Sequence, residues 1–142
     1  MSESAPAILY IDDDEGLRRL TRRALERMGM KVALAGSGAE GVALAAAERF
    51  DLVAVDHYMP GQDGLQTLEA LKALPVPPPV IYVTGSDDSR LAVAALKAGA
   101  IDYVVKTVNE DYFDLLAQAI IQSLATVSLR AEKEAAEAQL RE

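Results

Sequence analysis

The chain lacks cysteine and tryptophan, and its 142 residues include a single histidine. Without cysteine there can be no disulfides and no thiolate metal sites, and His57 alone is too little for a Ser/His/Asp triad or a two-histidine metal site. The missing cysteines, together with the lack of a signal peptide or a long apolar run, favour a cytoplasmic protein with no membrane-spanning role.

Basic residues are also scarce. The chain has 14 Lys and Arg against 22 Asp and Glu, which gives a net charge of −8. No Lys/Arg-rich stripe interrupts this acidic chain, so direct nucleic-acid binding is not expected, and its ligands should be cations or basic protein surfaces. Aromatic residues make up 5% of the chain and hydrophobic residues 51%, so the core must consist mainly of Ala, Val, Leu and Ile.

What the sequence does contain is a regular alternation of short apolar runs and helical patterns. The runs are too short for helices and end in turns, which is typical of buried parallel strands. Such an alternation with short loops predicts repeated βα units, and therefore one domain with a parallel sheet between two helical layers. Strands are predicted at 7–11, 31–35, 80–84 and 101–106, with one more ending at 56. In the second helix, 39–49, the residues expected to face inward are Val42, Ala43, Ala46 and Ala47.

Several predicted strands end in residues that can carry chemistry, and the most informative is the run Leu52-Val53-Ala54-Val55 that ends in Asp56. Asp56 alone could be a turn residue. In a parallel sheet with strand order 2-1-3-4-5, however, the strand ends converge at one edge. That edge would carry Asp12, Asp13, Asp56, Thr84 and Lys106.

The carboxylates of Asp12, Asp13 and Asp56 would repel one another at this edge, and a divalent cation with oxygen ligands, Mg²⁺, would relieve that repulsion. The acidic run also suits a helix N-terminus, but Asp14 and Glu15 suffice for that role. The two interpretations are compatible.

A phosphoryl group on Asp56 would give each part of this edge a task. The metal and the Lys106 ammonium would neutralise the phosphoryl oxygens, and the Thr84 hydroxyl would donate a hydrogen bond. Individually, Thr84 is ordinary at a strand end and Lys106 ordinary on a surface. Their combination with the acids favours an anion site beside a metal site.

Four motifs resemble the receiver domain of the two-component response regulators, over about residues 7–124. They are Ile-Asp-Asp-Asp-Glu at 11–15, Val-Asp-His-Tyr-Met-Pro-Gly-Gln-Asp-Gly at 55–64, Val-Thr-Gly at 83–85 and Ala-Leu-Lys-Ala-Gly-Ala-Ile-Asp-Tyr-Val-Val-Lys at 95–106. The resemblance implies an α/β, flavodoxin-like (βα)5 fold, doubly wound about a parallel sheet. It also implies that Asp56 accepts a phosphoryl group from a histidine kinase or phosphotransfer protein.

The same resemblance implies further roles at the site. Mg²⁺ would be held by Asp12, Asp13, Asp56 and the main-chain carbonyl of Tyr58, and Lys106 would contact the phosphoryl oxygen. Thr84 and Tyr103 would form a switch that changes the face of the fourth helix, the fifth strand and the last helix. That face would regulate an output module or partner, or form a homodimer, and the chain would catalyse only its own phosphorylation and dephosphorylation.

The last helical pattern starts near Glu110 and runs to Glu142 without a cap. A helix this long outruns a compact domain of this size. We therefore expect a flexible terminus at 1–6, a receiver domain at 7–126 and a helical extension at 127–142. The extension could be a coiled coil, a linker to a downstream module such as that of a hybrid kinase, or a solvated tail. Its apolar stripe is Leu116, Ile120, Leu124, Val127 and Ala131.

The family commonly has a cis proline after the lysine, whereas Thr107 follows Lys106 here. A cis bond without proline costs about 2.5–4 kcal/mol, so this loop either relaxes to trans or is held under strain. Tyr58 and Ser86 stand where the family has residues that flank the pocket, so the resemblance implies that they tune phosphoryl hydrolysis.

Two rival functions remain at this point. A haloacid-dehalogenase-like phosphatase would use Asp12 of Asp12-Asp13-Asp14 as its nucleophile, with Val83-Thr84-Gly85 as its second motif. The chain has no room for the usual cap module of such an enzyme, and the Asp56 loop would have no role. The other rival is a receiver-like module that binds partners without phosphorylation, against which the complete set of acids, threonine and lysine argues.

Overall fold

A computed structural model describes residues 5–59, 61–85, 89–106 and 111–141. Within these ranges it has five strands and five helices in strict alternation. In chain order they are β1 Ala7–Ile11, α1 Glu15–Glu26, β2 Lys31–Ala35, α2 Gly38–Ala47, β3 Leu52–Asp56, α3 Gly64–Lys72, β4 Val80–Thr84, α4 Ser89–Lys97, β5 Asp102–Val105 and α5 Asp111–Leu140.

The five strands form one parallel sheet in the order β2-β1-β3-β4-β5, which confirms the predicted topology. Ile11 pairs with Ala35 on one side and with Val55 on the other. Asp56 pairs with Val83, and Thr84 pairs with Val105. The carboxyl ends of β1, β3, β4 and β5 are therefore in register at one edge of the sheet.

The sheet separates two apolar layers, because successive strand residues point to opposite faces. The layer that contains Ile8, Tyr10 and Leu52 is covered by α1 and α5. The opposite layer, with Leu9, Ile11 and Val53, is covered by α2, α3 and α4. This is the doubly wound, flavodoxin-like fold, and burial of both faces explains why the strands are nearly continuous apolar runs.

The orientation of α2 differs from the prediction. Ala43, Ala46 and Ala47 are exposed, so the expectation that they face inward is wrong, and Val42 is only partly buried. The residues that α2 buries are Gly38 and Gly41. A Cβ at position 41 would lie 2.2 Å from Ile11 Cδ1, so the helix backbone packs directly against β1.

Helix α5 has 30 residues, and its length is about 45 Å at 1.5 Å per residue. Its first half packs on the sheet, where Leu116 and Ile120 are buried as expected. From Ser128 to Arg141 every residue is exposed, including Ala131. By length and hydropathy α5 could cross a bilayer, but a helix that packs on a soluble core passes the same test.

Gly64 brings the start of α3 against the end of β3. A Cβ at this position would lie 2.6 Å from the Asp56 carbonyl oxygen and 2.7 Å from the His57 Cα, and neither backbone atom can move aside cheaply. We expect Gly64→Ala to lower the free energy of unfolding by about 1–3 kcal/mol through overpacking. Urea unfolding measures this.

Gly85→Ala is the control, because a Cβ at position 85 meets nothing within 4 Å. It should leave the unfolding midpoint nearly unchanged. Equal midpoints for the two variants would show that the backbone contact at Gly64 is not tight.

Candidate phosphoacceptor and metal site

Three carboxylates meet at the carboxyl edge of the sheet. Asp12 follows β1 and Asp56 ends the adjacent strand β3, so the parallel pairing places them side by side. One oxygen from each of Asp12, Asp13 and Asp56 lies within 4.8 Å of the others. Asp12 and Asp56 are buried, whereas Asp13 is exposed at the mouth of the pocket.

Lys106, which follows β5, reaches into this cluster. Its Nζ donates a hydrogen bond of 2.9 Å to Asp12 Oδ2 and lies 3.1 Å from Asp56 Oδ1. Burial pushes the pKa of Lys106 down, but the hydrogen bond to Asp12 and the charge of Asp56 outweigh that effect and raise it. The lysine therefore stays protonated, and its one positive charge only partly offsets the three carboxylates.

Asp56 is the least satisfied member of the cluster. Its Oδ1 is close to Lys106 but accepts no hydrogen bond of good geometry from the described residues, although it is buried. Burial raises the pKa of the Asp56 carboxyl to about 6, the neighbouring Asp12 charge adds to the rise, and Lys106 opposes it. The carboxylate oxygen is thus charged at neutral pH and open to a cation or an electrophile.

The residues present fit a hard divalent cation. All of the clustered ligand atoms are carboxylate oxygens, which Mg²⁺ prefers, and the buried Oδ1 of Asp56 lacks a hydrogen-bond donor. A cation here would relieve the repulsion between the three acids.

Asp12 is held much more firmly than Asp56. Its Oδ1 accepts a hydrogen bond from the Asp14 main-chain N–H, and its Oδ2 accepts from the Tyr10 hydroxyl as well as from Lys106. Tyr10 Oη is in turn 2.7 Å from Tyr112 Oη of α5.

Sequence reasoning missed the roles of Tyr10 and Tyr112. The one local signal was a tyrosine in the middle of a fully apolar strand, where a buried hydroxyl requires a partner. Burial raises the pKa of both tyrosines, so both stay protonated.

The other predicted site residues differ in how deeply they are buried. Thr84 is buried at the end of β4, the strand next to β3, one residue beyond Val83, which pairs with Asp56. Tyr58 and Tyr103 are exposed by 61% and 39%, and Tyr103 lies on the β5 surface near Leu115 and Gln122. The predictions for Ser86 and for the Lys106–Thr107 peptide fall outside the described residues.

Fold and site together define a class of protein: a flavodoxin-like α/β domain with an acidic pocket and a lysine at the carboxyl edge of its sheet. The family model of the response regulator receiver domain matches residues 8–120. The chain belongs to this family.

The relatives are consistent with that membership. The transcriptional regulatory protein AfsQ1 of Streptomyces coelicolor is 34% identical over 82% of this chain and 52% of its own length. ZraR of Escherichia coli is 38% identical over 88% of this chain and 28% of its own. The chain thus spans about half or less of these two relatives.

Solved structures show the same fold. A CheY-like receiver domain protein from Methanospirillum hungatei superimposes with a TM-score of 0.79 at 33% identity, covering 89% of this chain and 99% of the other. NtrX from Brucella abortus gives a TM-score of 0.80 at 28% identity over 92% of this chain and 29% of its own.

Proposed function

We propose that the chain is a phosphoacceptor switch of two-component signal transduction, in which Asp56 takes a phosphoryl group from the phosphohistidine of a histidine kinase or phosphotransfer protein. The observation that carries the proposal is the Asp56 carboxylate itself. It is buried beside two other acids and a lysine, yet its Oδ1 accepts no hydrogen bond from the described residues. Of the two buried carboxylates, Asp56 is therefore the one less held by hydrogen bonds and the better prepared to attack.

In the transfer, an Asp56 oxygen forms a bond to phosphorus as the P–N bond to the donor imidazole breaks, and the imidazole nitrogen keeps the electron pair. Mg²⁺ would be held by Asp12, Asp13, Asp56 and the Tyr58 carbonyl. When bound, it would supply positive charge next to the phosphoryl oxygens. The Lys106 ammonium, now 3.1 Å from Asp56 Oδ1, would bind another phosphoryl oxygen, and Thr84 would donate a hydrogen bond to a third.

The readout we propose is the α4–β5–α5 face. It carries exposed apolar side chains, with Leu96 of α4, Tyr103 of β5 and Leu115 of α5 each at least 39% exposed. Movement of Thr84 toward the phosphoryl group would let Tyr103 turn inward and reshape this face. Its partner would be an output module following α5, a separate protein or a second copy of the chain, in the cytoplasm.

The phosphatase alternative is weaker because of the way Asp12 is held. All three of its close donors, from Tyr10, Asp14 and Lys106, occupy its two carboxylate oxygens. An oxygen engaged in this way is a poorer nucleophile than the Asp56 oxygen.

Intact-mass spectrometry tests the proposal. With Mg²⁺ and acetyl phosphate as a small acyl-phosphate donor, the wild-type chain should gain one base-labile phosphoryl group, and Asp56→Asn should gain none. Equal uptake by both proteins would show that Asp56 is not the acceptor. Turnover of a phosphate ester that Asp12→Asn abolishes and Asp56→Asn preserves would favour the phosphatase.

A further inference from the structure

A chain of buried hydroxyl groups connects the acidic pocket with the first turn of α5. Tyr112 Oη is 2.7 Å from Tyr10 Oη, and Tyr10 Oη is 3.1 Å from Asp12 Oδ2. Both tyrosines are buried between β1 and α5, and 102 residues separate them in sequence. Neither hydroxyl is required for the phosphoryl chemistry described above.

The chemistry of the three groups fixes the direction of these hydrogen bonds. An ionised carboxylate can only accept, so the Tyr10 hydroxyl must donate its single proton to Asp12 Oδ2. The Tyr10 oxygen then serves as acceptor, and Tyr112 must be the donor between the two hydroxyls. Tyr112 therefore donates to Tyr10, and Tyr10 donates to Asp12. Successive hydrogen bonds in such a chain strengthen one another.

Lys106 cannot take over the hydrogen bond that Tyr10 donates to Asp12. Lys106 also donates to Asp12 Oδ2, but in the proposed function it is drawn to the phosphoryl oxygen, whereas the Tyr10 ring is fixed in the core. When the lysine leaves, Tyr10 is the side-chain donor that remains on Asp12 among the contacts described.

We propose that Tyr10 is a positioning residue that orients the Asp12 carboxylate for a divalent cation, and that Tyr112 acts through Tyr10 and ties the occupancy of the pocket to the first turn of α5. The inference rests on the proposed function, since it assumes that Asp12 binds the cation. It adds a link between pocket and α5 that runs through the interior, on the opposite side of β1 from α2.

Mg²⁺ titration by calorimetry tests the positioning role. Groups that orient metal ligands typically change metal affinity 10–100-fold when removed, so Tyr10→Phe should weaken Mg²⁺ binding by about tenfold or more. Tyr112→Phe should weaken it less. In the Tyr10→Phe background, Tyr112→Phe should have no further effect, because its path to Asp12 is already cut.

Tyr82→Phe is the matched control. Tyr82 is a fully buried tyrosine on the other face of the sheet, and its hydroxyl is hydrogen-bonded to His57 Nδ1 instead of to an acid of the pocket. This variant should lose stability and should lose less Mg²⁺ affinity than Tyr10→Phe, because its hydroxyl contacts none of the carboxylates of the pocket. Equal losses of affinity in Tyr82→Phe and Tyr10→Phe would overturn the inference, since any lost buried hydroxyl would then have the same effect.

Amide hydrogen exchange tests the link to α5. Mg²⁺ should slow exchange at residues 113–117 in the wild-type chain, and Tyr112→Phe should abolish that response while Asp13 and Asp14 still respond. A response of α5 that survives in Tyr112→Phe would overturn the link. A wild-type chain that binds no Mg²⁺ would overturn the proposed function as well, whereas normal phosphoryl uptake with unchanged Mg²⁺ affinity in Tyr10→Phe would overturn this inference alone.

Discussion

Replacing Lys106 with methionine is expected to lower the free energy of unfolding by about 3 kcal/mol at pH 7 without Mg²⁺. The lysine is the one ammonium within 4 Å of Asp12 and Asp56 among the described residues, and Asp12 is fully buried. Removal of one partner from a buried ion pair leaves an uncompensated charge, which costs about 3–5 kcal/mol. We expect the lower end because Asp56 can take up a proton. Urea unfolding at pH 7 measures the loss.

A double-mutant cycle shows whether the loss comes from the carboxylates. In an Asp56→Asn background, Lys106→Met should cost clearly less, because one of the two acids it faces is gone. Lys97→Met, at an exposed position on α4, should change stability little. Equal costs of Lys106→Met in both backgrounds would show that Asp56 and Lys106 are not coupled.

Stability without Mg²⁺ is expected to fall as the pH rises from about 4 to about 6.5, and Asp56→Asn should remove most of that fall. The folded chain raises the pKa of Asp56 to about 6 from an ordinary 3.8, chiefly through burial and then through Asp12. The folded state therefore binds this proton more tightly than the unfolded state. The resulting stabilisation of the folded state is fully present below about pH 4 and is lost as the Asp56 carboxyl ionises. The difference is on the order of 2 kcal/mol.

Thermal unfolding of the two proteins across this pH range measures the effect. Asp56→Asn should be the more stable protein at pH 7 and should lose its advantage near pH 4. Asp114→Asn, an exposed acid on α5, is the control and should follow the wild-type profile. Parallel profiles for wild type and Asp56→Asn would contradict the raised pKa. Mg²⁺ should stabilise the wild type at pH 7 through binding to the folded state.

Much of the fold and site could be predicted because the relevant signals are local. The bounds of β1, β2 and β4 agree with their apolar runs, and the βα alternation predicted the parallel sheet, whereas its order 2-1-3-4-5 belongs to the flavodoxin-like fold that the receiver resemblance implies. Since parallel strands bring their carboxyl ends together, the meeting of Asp12, Asp56 and Lys106 followed from topology alone.

The parts that could not be predicted depend on packing between distant segments. Helix α2 packs closely through two glycines, Gly41 against Ile11 of β1 and Gly38 against Thr67 of α3, and a hydrophobic pattern gives no weight to glycine. The hydrogen bond between Tyr10 and Tyr112 joins residues that are 102 positions apart, so no local sequence pattern indicates that they are partners. The firm hold on Asp12 and the looser hold on Asp56 likewise became visible only once these contacts were known.

The exposed half of α5 has a mechanical consequence. Leu140 lies 17 residues beyond Ser123, the last buried residue of the helix, which makes a lever arm of about 25 Å. A tilt of about 10° at the buried half would move the tip by roughly 4 Å at that arm length. A displacement of that size exceeds most rearrangements inside a packed core, so the helix would convert a small motion at the edge of the sheet into one large enough to change how a neighbouring molecule fits against its end.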